Sequence, residues 1–102
     1  MSTFDKDGYL VARKDWDEQL AQALADQHDL VLTAEHWEII TLVRTFQLDT
    51  DVVPSMRPLV KLVKEALGPD KGNSLYLHRL FPDSPAKLVA KVAGLPKPTN
   101  CL

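Results

Sequence analysis

Stop signals crowd the second half of this chain. All seven prolines lie beyond residue 53, interleaved with Gly68, Gly72 and Gly94. Proline removes an amide donor and clashes inside a helix, and glycine weakens one, so both collect at helix ends. Between these breaks the apolar residues recur at three- and four-residue spacing, the period of a helix. The chain therefore divides into short helices with tight connections, which predicts an orthogonal bundle rather than long coiled pairs.

Each helix has legible ends. In DWDEQLAQALADQHD, Asp15 and Glu18 have capping-box spacing, and Trp16, Leu20 and Leu24 share one face, which predicts a helix from about Trp16 to Gln27. In TAEHWEIITLVRTFQLD, Thr33 is the expected cap, Glu35 suits the first turn, and Trp37, Ile40, Val43 and Phe46 form the stripe. DTDVVP ends that helix, because Pro54 turns its predecessor away from helical geometry. SMRPLVKLVKEALG opens on Ser55, tolerates Pro58 in its first turn, buries Met56, Leu59, Val60, Val63 and Leu67, and stops at Gly68. NSLYLHRLF opens on Asn73; SPAKLVAKVAG has Ser84 as cap, Pro85 at the first position and Gly94 after its end. Ahead of these, STF and YLVA flank DKDG, which predicts a small β-hairpin. The expected fold is mainly α: a five-helix body over residues 1–94 and a flexible arm over residues 95–102.

With 102 residues, one domain is expected, large enough to hold a core without staples. Cys101 is the only cysteine, so no internal disulfide is available, and a reducing, cytoplasmic setting is expected. MSTFDKDGYL lacks the basic start and apolar run of a signal peptide, and no stretch approaches the ~18 apolar residues of a membrane span. Residues 1–53 carry four basic and eleven acidic side chains, a net −7, whereas residues 54–102 carry eight and three, a net +5. The basic half is either an ordinary solvated face or one turned toward something negative.

Several chemistries are absent. His28, His36 and His78 are scattered and lack the paired spacing of a zinc site, so no metal is expected. No glycine-rich loop follows a strand, so neither a nucleotide fold nor a cofactor is expected. All three histidines read as surface or partly buried residues, and Trp16 and Trp37 as core packing. The second and third helices, joined by DTDVVPS, can be read as helix-turn-helix with Arg57, Lys61 and Lys64 on the recognition helix. The chain is less basic than a DNA reader usually is, so DNA is a secondary alternative.

That leaves GLPKPTNCL. Gly94 can end the last helix in a left-handed turn, and Pro96 and Pro98 favour an extended segment whose eight residues span at most ~26 Å. Cys101 sits near its tip, with Lys91 and Lys97 as positive neighbours that favour thiolate and a terminal carboxylate that opposes them. A semi-rigid arm tipped by sulfur suits a persulfide carrier, the other reading being a tail with an idle cysteine.

The residues also carry a likeness. GLPKPTNC resembles the signature of the TusE/DsrC family, and KGNSLYLHRLFPDSPAKLVAKVAGLPKPTNCL resembles the family's closing segment almost throughout. TAEHWEIITLVRTF, PSMRPLVKLV and DGYL are similar to its central helix, the next helix and its opening. The resemblance implies a helical fold with a helix-turn-helix-like core, an N-terminal hairpin and a mobile arm whose cysteine, here Cys101, carries sulfur as a persulfide. Proteins of the DsrC branch have a second cysteine where this chain has Ala90, so the resemblance favours the TusE branch over dissimilatory sulfur metabolism. That branch implies a sulfurtransferase that takes persulfide from an upstream sulfur-relay complex. It passes the sulfur to a tRNA thiouridylase, alone or with its tRNA, for 2-thiouridine at the wobble position. Arg79, Lys87, Lys91 and Lys97 are the candidate partner-docking residues.

Overall fold

The computed structural model describes residues 3–98. A single 3₁₀ turn, Arg13–Asp15, leads into five helices: α1 (Glu18–Asp26), α2 (Ala34–Thr50), α3 (Met56–Leu67), α4 (Ser74–Leu80) and α5 (Pro85–Val92). Helix α5 packs against each of the other four. It is correspondingly apolar: Pro85, Ala86, Leu88, Val89, Ala90 and Val92 are buried, which leaves only Lys87 and Lys91 to face outward. The core around it holds Ile39, Ile40 and Val43 of α2, Leu59 and Val63 of α3, Leu77 of α4, Phe81, and Ala21 and Ala25 of α1. The C-terminal segment therefore grows out of the most enclosed helix in the fold.

The expected first cap residues, Thr33, Ser55, Asn73 and Ser84, hold for four helices, and the cap shifts for one. Asn73 Oδ1 accepts from the Tyr76 amide at 2.9 Å, Pro85 opens α5, and Gly68 closes α3 at φ +93°. At α1 the cap is Asp17 rather than Asp15: its Oδ1 accepts from the Leu20 amide at 2.8 Å, and Asp15 belongs to the preceding 3₁₀ turn. Trp16 thus precedes the helix instead of lying on its apolar stripe. Helix α2 reaches Thr50 and ends on Asp51 in the left-handed conformation, φ +59°, so it closes before Pro54 acts.

The expected N-terminal β-hairpin is not formed as a sheet. Among the described residues the only pairing there is one antiparallel bridge between Phe4 and Leu10. The turn between them is organised by Asp5, whose carboxylate accepts from the amides of Asp7 and Tyr9, both at 2.9 Å. An aspartate that takes the amides of the turn competes with a regular ladder, and the 3₁₀ turn follows at once.

His36 is a second correction. It is buried, not on the surface, and serves as a bridge within the core. Its Nδ1 accepts from the Thr33 amide at 3.1 Å, which leaves the proton on Nε2 to donate to the Leu80 carbonyl at 2.7 Å. Its ring meets Phe81 edge-on, with centroids 5.2 Å apart. His36 joins the start of α2 to the end of α4. Its helix position alone gave no sign of this, because the partner carbonyl is 44 residues away.

Candidate functional site

The sequence points to the arm, so the site begins where α5 ends. A helix leaves its last carbonyls without internal partners and concentrates negative charge there. Here two side chains from distant elements satisfy them. The Trp16 indole Nε1 donates to the Val92 carbonyl at 2.9 Å, and Arg44 Nη1 donates to the Ala93 carbonyl at 2.6 Å. The Arg44 guanidinium lies 3.7 Å above the centroid of the Trp16 ring, so the two groups brace one another through a cation–π contact. Partial burial, and secondarily the charge of Arg13, lower the Arg44 pKa from its ordinary value. Arg13 in turn donates to Oε1 of the buried Gln47.

Gly94 completes this clamp. It has φ +71°, where a side chain is strained, and a Cβ there would stand 2.3 Å from Trp16 Cδ1. Only glycine lets the chain turn out of α5 while the indole closes over it. Beyond it, Leu95 and Pro98 are buried, whereas Pro96 and Lys97 are exposed. The Leu95 amide donates back to the Ala90 carbonyl at 2.9 Å. A groove of about 260 Å³ runs beside this segment, lined by Leu10, Val11, Arg13, Gln47, Gly94 and Pro96.

The candidate residues are only partly gathered. Cys101 lies outside the described residues. Lys87 and Lys91, four apart on α5, line a groove of about 230 Å³ with His28, Asp83 and Ser84. Lys91 also reaches over the Tyr9 ring, its Nζ 5.3 Å from the centroid. Arg79, on α4, and Lys97, in the segment after α5, do not line that groove. Arg57, Lys61 and Lys64 are exposed on α3. Trp16, Arg44 and Gln47 were not candidates from the sequence. A lone arginine in an apolar stretch of α2 was the available signal, but the carbonyl it serves is 49 residues on.

No helix among the described residues is long and apolar enough to cross a membrane. The family described as DsrC like protein matches residues 1–102. The sulfurtransferase TusE homolog of Haemophilus influenzae is 51% identical over 98 residues, covering 96% of this chain and 90% of that one. Sulfurtransferase TusE of Yersinia pseudotuberculosis is 48% identical over 98 residues, covering 96% and 91%. Among solved structures, Allochromatium vinosum DsrC, determined by NMR, superposes with a TM-score of 0.88 at 45% identity, covering 97% of this chain and 88% of that one. The crystal structure of the oxidized gamma-subunit of the dissimilatory sulfite reductase (DsrC) from Archaeoglobus fulgidus gives 0.84 at 42% identity, covering 99% and 92%. Matched along its whole length in sequence and along nearly all of it in fold, the chain belongs to the DsrC like protein family.

Proposed function

We propose that this protein is a sulfur carrier of the TusE type, with Cys101 as the carrying residue. The observation that supports this most is an elimination. Relatives at about half identity are named sulfurtransferases, and this chain has one thiol with which to hold sulfur. The transfer is a thiolate exchange without net oxidation. Cys101 thiolate attacks the outer sulfur of a donor persulfide, the donor thiolate leaves, and Cys101 holds the sulfur as a persulfide. An acceptor thiolate then attacks that outer sulfur and Cys101 thiolate leaves. A lower thiol pKa makes Cys101 a better leaving group and a weaker nucleophile, so an intermediate value serves both halves.

The finer reading is a relay for tRNA modification: an upstream relay complex as donor, and a tRNA 2-thiouridylase as acceptor, in the cytoplasm. Ala90 supports this branch over the dissimilatory one. It is fully buried on α5 and has no thiol, so no intramolecular disulfide with Cys101 is available. Lys97 lies within the arm, Lys87 and Lys91 are the basic residues nearest it in sequence, and Arg79 adds a further charge on α4. They are the docking candidates for a partner of opposite charge.

Intact-protein mass spectrometry tests the carrier. The protein is incubated with a cysteine desulfurase, cysteine and the upstream relay proteins. A reductant-reversible gain of one sulfur, absent in Cys101→Ser, is expected. No gain while the donor is demonstrably charged refutes the reading. Cys101→Ser is expected to leave thermal stability unchanged, because serine replaces only the sulfur by oxygen in a side chain of the same shape.

A further inference from the structure

The seating of the arm's first residues limits how far its sulfur can travel. Leu95 is fully buried, Pro98 is buried, and the carbonyls of Val92 and Ala93 are held by Trp16 and Arg44. Cys101 is three residues beyond Pro98. Three residues span at most roughly 11 Å of chain, against roughly 25 Å for the seven from Gly94 to Cys101 if the arm swung from Gly94. With its root held, the thiol reaches only a protein whose own thiol comes close to the root.

We infer that the sulfur-exchange partner docks over the arm root, on the groove formed by Leu10, Val11, Arg13, Gln47 and Pro96. The inference rests on the carrier reading. Pro96 lines the groove and is two residues from Pro98, so the groove lies within that reach of the arm root. Its composition suits a protein rather than a small ligand. Val11 is 62% exposed, a large apolar side chain on the rim, beside the cationic Arg13. The occupant is the persulfide-bearing relay protein that loads Cys101, with an apolar rim, an acidic or carbonyl acceptor for Arg13, and a reactive sulfur recessed by no more than roughly 11 Å.

The test separates docking from sulfur chemistry. Wild type, Val11→Glu and Lys61→Glu are loaded in two ways: from glutathione persulfide, which needs no docking, and from the desulfurase and relay mixture. Lys61 is exposed on α3, which contributes nothing to this groove, and controls for added negative charge. Loading from glutathione persulfide balances as the relay does: Cys101 thiolate takes the outer sulfur and glutathione thiolate leaves. Val11→Glu, which sets a charge against an apolar contact, is expected to lower kcat/KM for relay loading about tenfold, with unchanged loading from glutathione persulfide. Lys61→Glu is expected to match wild type in both. Wild-type relay loading by Val11→Glu, or an equal loss in Lys61→Glu, overturns the docking site. Failure of wild type to load from either donor overturns the carrier reading, and this inference with it. A loss by Val11→Glu with both donors assigns the residue to the arm's own chemistry and also refutes docking.

Discussion

Gly94→Ala tests the clamp most directly. Two penalties combine. The backbone is left-handed at φ +71°, which costs an L-residue roughly 1–2 kcal/mol. The new methyl would also lie 2.3, 2.7 and 2.9 Å from Trp16 Cδ1, Cγ and Cβ, closer than carbon atoms approach, so the indole must leave. Its departure forfeits the bond to the Val92 carbonyl, worth roughly 0.5–1.5 kcal/mol, and the Arg44 contact, roughly 0.5–1 kcal/mol or more when desolvated. The expected loss is about 2–4 kcal/mol. For a domain near 100 residues that lowers Tm by roughly 10–20 °C. Urea unfolding followed by far-UV circular dichroism measures it, and a double-mutant cycle divides it. With Trp16→Ala already present the ring clash is gone and only the Cβ contact at 2.9 Å remains, so Gly94→Ala should then cost little beyond the backbone part, roughly 1–2 kcal/mol. A loss below about 1 kcal/mol, or the same loss with and without the indole, would refute the claim that glycine is required there by Trp16.

Three further outcomes concern Tyr76 and His36. The Tyr76 hydroxyl is buried without a hydrogen-bond partner, and burial raises its pKa. Tyr76→Phe should therefore leave stability unchanged or raise it by up to about 1 kcal/mol in urea unfolding, and a loss above that would show an unseen partner. In alkaline titration followed by phenolate absorbance, Tyr76 should ionise later than a free tyrosine. Because its folded pKa is the raised one, its contribution to stability is complete below the unfolded pKa and lost as pH rises through the folded value. His36→Ala should cost about 2–4 kcal/mol, since it opens a cavity against Phe81 and removes the donor to the part-buried Leu80 carbonyl. A loss under 1 kcal/mol would mean that water replaces the imidazole.

Much of this protein is local, and local features are readable from the chain. The start of α5 follows from Ser84 and Pro85, its end from Gly94, and the buried side of α3 from the spacing of Leu59 and Val63. These depend on neighbours within a turn or two, where one residue's backbone preference decides the outcome. The α1 cap failed to read correctly because Asp15 and Asp17 are both competent, and only packing of Trp16 onto Gly94 selects between them. The hairpin failed because the Asp5 carboxylate takes amides that a ladder would need.

The sequence by itself determined that the body is a set of short helices and that one thiol stands near the end of a proline-stiffened arm. It could not determine what holds the root of that arm. Val92 and Ala93 are served by side chains 76 and 49 residues away, Trp16 and Arg44. Nothing in the spacing of either residue identifies the carbonyl it will meet. That pairing exists only once α2 and the N-terminal segment have closed around α5, because a hydrogen bond is specified by position in space and a helix end by position in sequence.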